Sequence, residues 1–295
     1  MADRRAIFGS RTLPYALLAP QLIVTAVFFL WPAWQALEQS VFLEDAFGFS
    51  RRFVGADNFT GLLDDPSYLR SFSTTFIFAA VVTGLCMSIA LVLALAANRV
   101  IRLSSGYKML LVWPYAVAPA LTGVLFYFLM NPSIGVVAQW LRSLGTEWDP
   151  FLNGSHAFTL IVVAACWKQL SYNFLFFLAG LQSIPKSLVE AAALDGASPT
   201  RRLWTLIIPL LSPTVFFLLV MNLLYAFFDT FGLIHATTEG GPSDATTILV
   251  LKVYQSGFIG QDYGGSAAQS VILMTMVILL TMVQFRYIER KVVYA

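Results

Sequence analysis

The sequence predicts an all-α, polytopic integral membrane protein with six membrane spans. Three observations carry that prediction. Of 295 residues, 58% are hydrophobic and only 12% are charged, about half the charged share of a soluble domain. The apolar residues gather into runs of the length a bilayer requires, about 20 residues each. The basic residues between those runs fall mostly on one side, which orients the chain.

The spans are expected at about 13–31, 72–97, 109–130, 158–181, 207–234 and 267–285. The first follows Arg4, Arg5 and Arg11 as a signal peptide would. Its apolar stretch is too long for a signal sequence, and Trp31-Pro32-Ala33-Trp34 follows it in place of a small-residue cleavage site, so it reads as a retained anchor. The third span is interrupted by Pro114 and Pro119. Such breaks occur where backbone lines a cavity, and equally as plain packing kinks.

Counting the loops alternately places twelve basic residues on one side, among them Arg102, Lys186, Arg201, Arg202 and Arg290. The other side holds five: Arg51, Arg52, Arg70, Arg142 and Lys252. The positive-inside rule then puts both termini in the cytoplasm, which six spans satisfy. The outer loops at 37–70, 131–157 and 235–266 are long enough for short helices or re-entrant pieces, and the last contains the turn signal Gly240-Gly241-Pro242. Neither an internal repeat nor a second soluble domain is visible, so residues 1–295 read as a single transmembrane domain. Cys86, Cys166, His156 and His235 show no metal or disulfide spacing. The small net charge of +2 gives no reason to expect a nucleic-acid partner.

Two ionisable residues fall inside spans, Lys168 in the fourth and Asp229 in the fifth. Each is costly in hydrocarbon unless paired or hydrated. Asn222, Tyr225 and Asp229 lie at i, i+3 and i+7, hence on one helical face rising about 10 Å. In the fourth span Gln169 and Asn173 repeat at i and i+4, as do Lys168 and Tyr172. With Tyr115 between the two prolines, these residues form a candidate substrate pathway: Tyr115, Lys168, Gln169, Asn173, Asn222, Tyr225 and Asp229. A purely structural pairing of Lys168 with Asp229, or a snorkelling Lys168, is the competing reading.

The segment at about 183–206, between spans four and five, is unusual for a membrane loop. Pro185 suits a helix start with Ser183 as a possible cap, Glu190 to Leu194 is a strong helix-forming run, Gly196 ends it, and Pro199 opens a second helix. Glu190-Ala191-Ala192, three residues, Gly196, nine residues and Leu206-Ile207-Ile208-Pro209 resemble the EAA loop of ABC importer permeases, with conservative aliphatic changes before the proline. Trp167-Lys168, Leu181-Gln182-Ser183-Ile184-Pro185 and Gly240-Gly241-Pro242 with Ala245-Thr246-Thr247 resemble the maltose-type members. Within that family, Pro114-Tyr115-Ala116-Val117-Ala118-Pro119, the run from Lys168 to Phe177 and the run from Tyr225 to Phe231 resemble the A-type permeases of sn-glycerol-3-phosphate importers.

The resemblance implies a type I importer permease fold in a bacterial inner membrane. It implies that Glu190, Ala191, Ala192 and Gly196 form a coupling helix docked on an ATPase. It further implies a second permease subunit, two ATPase subunits that bind the ATP, and a periplasmic substrate-binding protein, with sn-glycerol-3-phosphate or a related glycerophosphodiester or sugar as cargo. The chain itself has no phosphate-binding loop of the G-x-x-x-x-G-K-[S/T] type, so no cofactor is expected on it and it is not expected to be an enzyme. A stand-alone secondary transporter or channel is the alternative, against which stands the lack of an inverted repeat or paired broken helices. A membrane enzyme would need a gathered nucleophile, metal cluster or carboxylate pair, and the spans offer none.

Overall fold

The computed structural model describes residues 13–44, 50–99 and 104–289. Arg4, Arg5, Arg11, Asp45, Arg102, Arg290 and Lys291 lie outside them. Five helices are long and apolar enough to cross a membrane: Leu13–Gln39, Pro66–Asn98, Gly154–Ser183, Ser212–Asp229 and Tyr263–Ile288. A sixth crossing is made by the bent pair Met109–Ala116 and Pro119–Met130, if the pair is one span. Below, the spans are numbered one to six in chain order, the bent pair being span three.

Several helices outrun the apolar runs, because polar residues beyond the runs still help to build helix. Asp65 accepts the Ser67 N–H at 2.9 Å, so span two starts at Pro66 and not at Phe72. Asn153 accepts from the Ser155 and His156 N–H groups and starts span four. Asp262 does the same for Gly265 at the head of span six. Span one runs on past Trp31 to Gln39 through a π turn at Ala26–Leu30. There the Trp31 N–H reaches back to Ala26 O, just before Pro32, which has no N–H to donate.

Span three breaks where the prolines predict. A short 3₁₀ turn, Trp113–Ala116, precedes extended residues Val117 and Ala118. Pro119 forces its predecessor out of the helical region, and the chain resumes at an angle of 107°.

Spans two and four form the centre. Ala79, Val82, Cys86, Ala90 and Ala94 recur every three or four residues along span two, and all are buried. Ile77, Leu85, Ile89 and Val92 on its other side are exposed. An apolar helix with one small-residue seam inside and bulky residues outside is built to pack in lipid. The two thiols meet in this seam: Cys86 Sγ lies 3.8 Å from Cys166 O, and Cys166 Sγ 3.8 Å from Val82 O. Span three packs through Gly123 on the helix Phe231–Thr237 that follows span five, where a Cβ would come within 2.9 Å of Ala236 Cβ and of Thr237 Oγ1.

The long loops at 37–70, 131–157 and 235–266 contain short elements. An antiparallel hairpin pairs Phe42–Glu44 with Arg51–Phe53, and Arg51 bridges Glu38 and Glu44. Short helices occupy Asp57–Asp64, Val136–Ser143 and Leu249–Tyr254. The Gly240-Gly241-Pro242 loop is tied to the head of span two: Ser67 Oγ donates to Asp244 at 3.0 Å and itself accepts from Lys252 Nζ at 2.8 Å. His156 stacks on Trp148 and His235 on Phe231.

Candidate functional site

Two regions gather the residues singled out in the sequence. The first is the segment between spans four and five. Its helix runs from Lys186 to Leu194, and none of its residues is buried. Ser183 does not cap it: its Oγ donates to Gly180 O at 2.8 Å, inside span four, and Pro185 occupies the cap position. The helix ends in a Schellman turn. Gly196, at φ +81°, donates to Ala193 O, and Ala197 donates to Ala192 O. A left-handed residue is required there, and glycine supplies it without steric penalty. Ser198 then caps the next turn by accepting the Arg201 N–H at 3.3 Å. Glu190 and Ala191 are exposed, as are Leu188, Leu194 and Trp204. Leu194 is 89% exposed, an apolar tip that the motif alone did not mark. A rigid helix with small alanines, one acid and an uncovered leucine is suited to plug into a protein groove.

The second region is a cavity of about 520 Å³ at the break in span three. Tyr115, Lys168, Gln169, Tyr225 and Asp229 line it, together with Tyr172 and Met221. Tyr115 stacks on Tyr172 with ring centres 6.0 Å apart. Lys168 and Asp229 share the cavity without forming an ion pair. The Lys168 ammonium donates instead to Val117 O at 2.6 Å, a carbonyl in the extended stretch of the broken span. The walls therefore offer a cation, a carboxylate, an amide and phenol groups around one shared space. Such a set can receive a small polar or anionic solute. Tyr172 was legible as the i+4 neighbour of Lys168; Met221 carried no polar signal.

Asn173 and Asn222 are not part of the lining. Both are fully buried and bond each other reciprocally, Nδ2 to Oδ1, at 2.9 and 2.6 Å. Asn222 also donates to Leu218 O. Tyr225 is nearly buried and donates to Ala165 O at 3.2 Å. The polar stripe of span five thus divides: Asn222 fastens span five to span four, and Asp229 faces the cavity.

Fold and site together define a polytopic membrane protein of apolar helical spans with a short exposed helix beside them. Residues 4–294 match the family described as binding-protein-dependent transport system inner membrane component. Over 291 residues the chain is 58% identical to the sn-glycerol-3-phosphate transport system permease protein UgpA of Rhizobium meliloti (strain 1021), covering 99% of each. It is 55% identical over 294 residues to the protein of the same name from Yersinia enterocolitica serotype O:8 / biotype 1B (strain NCTC 13174 / 8081), covering 100% of each. In fold it is similar to a chain of a bacterial ABC transporter involved in the import of the acidic polysaccharide alginate, with a TM-score of 0.82 at 22% identity over 94% of this chain and 95% of that one. The chain belongs to the binding-protein-dependent inner-membrane permease family of ABC importers.

Proposed function

We propose that this chain is one of two permease subunits of an importer for sn-glycerol-3-phosphate. The observation that carries this reading is the 55–58% identity, over essentially the whole chain, to relatives named for that transport system. A periplasmic binding protein hands the substrate to the outer face, a second permease completes the passage, and two ATPase subunits bind and hydrolyse the ATP. The cavity at the broken third span lies on the route. Lys168 meets the phosphate, the tyrosine pair flanks the glycerol, and Asp229 positions or gates rather than binds, since like charges repel. Glu190, Ala191, Ala192 and Gly196 transmit the ATPase motion, because their helix protrudes from the bundle and is held rigid by its cap.

Cells lacking this chain should lose high-affinity uptake of labelled sn-glycerol-3-phosphate and regain it on complementation. Unchanged uptake in the deleted cells, with the rest of the importer present, would remove the substrate assignment.

The coupling role requires residues 183–206 to face the cytoplasm. With Cys86 and Cys166 replaced by alanine, a cysteine at Ser198 should resist an impermeant thiol reagent in intact cells and react in inverted vesicles. A cysteine at Ser243 should do the opposite. Labelling of position 198 from the periplasmic side would refute cytoplasmic termini.

A further inference from the structure

A second cavity lies behind the coupling helix, away from the passage. It measures about 730 Å³, within the roughly 300–1,000 Å³ range of small-ligand sites. Its walls are divided by chemistry. Leu95, Leu181, Ile184 and Ile207, at the inner ends of spans two, four and five, make an apolar wall. Facing the coupling segment are Lys186 and Arg202, with the amides of Asn98 and Gln182. Glu190 is the one acid, so two cations stand against a single carboxylate.

Arg202 is poorly satisfied by the protein. Its Nε is buried without a hydrogen-bond partner, and its Nη1 makes one long contact, 3.5 Å to Val189 O. A guanidinium carries five donors in a planar fork matched to phosphate oxygens. A free anion would satisfy that fork but leave the apolar wall uncovered. A phosphodiester with acyl chains satisfies both, and basic pockets between helix ends on the cytoplasmic side suit lipid headgroups.

We infer that this cavity binds the phosphate headgroup of an anionic phospholipid from the cytoplasmic leaflet, with Arg202 and Lys186 on the phosphate and the acyl chains along Leu95, Leu181 and Ile184. The inference rests on the cytoplasmic placement of the coupling segment proposed above. The bound lipid wedges between the coupling helix and the bundle, so it sets how firmly the helix is seated when the ATPase moves.

The test uses the assembled importer, captured by a tag on the ATPase subunit, in nanodiscs of phosphatidylcholine with or without phosphatidylglycerol. Capture failing for the wild-type chain would count against the coupling reading and not against the lipid site. Native mass spectrometry should show phosphatidylglycerol retained in preference to phosphatidylcholine, and substrate-stimulated ATP hydrolysis should rise with it. Arg202→Gln and Lys186→Gln should each lower the retained phosphatidylglycerol about fivefold. Arg202→Lys should keep most of it, which separates charge from misfolding, and Arg201→Gln, exposed and outside the cavity, should change nothing. Equal retention of the two lipids by the wild type, or undiminished retention in the double variant Lys186→Gln/Arg202→Gln, would overturn the site. Stimulation by inorganic phosphate in phosphatidylcholine discs, abolished by Arg202→Gln, would assign the phosphate to a solute and overturn the lipid.

Discussion

Gly196→Val should nearly abolish uptake while leaving the amount of inserted protein unchanged. The glycine stands at φ +81° with open space where a Cβ would be, so the cost is in the backbone alone. A β-branched residue held there costs roughly 1–2 kcal/mol or more. Relief comes by unwinding the last turn, which breaks the Gly196 to Ala193 and Ala197 to Ala192 bonds that end the coupling helix. A conformational cost of about 1.4 kcal/mol is a tenfold loss of docking-competent helix. Co-purified ATPase should therefore fall about tenfold or more. Gly196→Asn should be milder, because asparagine tolerates the left-handed region. Glu190→Gln should lower uptake less than Gly196→Val, since it removes a charge from the plug and leaves its shape. Full uptake and normal ATPase association in Gly196→Val and Glu190→Gln would sink the coupling role.

Lys168→Gln should weaken transport of the phosphorylated substrate by an order of magnitude or more at equal assembly. Hydrogen bonds to charged groups contribute about 1.5–3 kcal/mol, and Lys168 is the cation on the cavity wall. The deficit should appear with sn-glycerol-3-phosphate and be small for any uncharged solute the importer accepts. Asp229→Asn should change uptake kinetics more than it changes the quantity of complex, because Asp229 is exposed to the cavity and forms no salt bridge among the described residues. Normal kinetics in both variants, with assembly intact, would leave these residues a packing role only.

The contrast between Asp229 and Asn222 shows what the sequence can and cannot convey. Apolar runs are local properties, and they located the spans to within about two turns at most ends. The Glu-Ala-Ala to Gly spacing located the helix Lys186–Leu194 and its C-terminus for the same reason: the Schellman turn is made within six residues. The polar stripe of span five was drawn at 3.6 residues per turn. The structure inserts a π turn at Tyr225–Asp229, which shifts the helical phase at the position where the stripe was to continue. Asn222 meets Asn173 of span four across 49 residues of sequence, a partner that no periodicity can name. Lys168 raised the same difficulty. A lysine and an aspartate in neighbouring spans invite a salt bridge, but the break in span three brings a free carbonyl, Val117 O, to the ammonium instead. The Ser67, Asp244 and Lys252 tie is likewise long-range, and only the Gly-Gly-Pro turn beside it was legible.

The most direct measurement is reconstitution. The two permeases and the ATPase subunits are placed in proteoliposomes with ATP sealed inside and the substrate-loaded binding protein outside. Vesicles with this chain should accumulate labelled sn-glycerol-3-phosphate in proportion to ATP hydrolysed. Vesicles carrying Gly196→Val should do neither at the wild-type rate. Accumulation at the full rate without this chain, or ATP-independent accumulation by this chain alone, would contradict its role as the ATP-coupled permease.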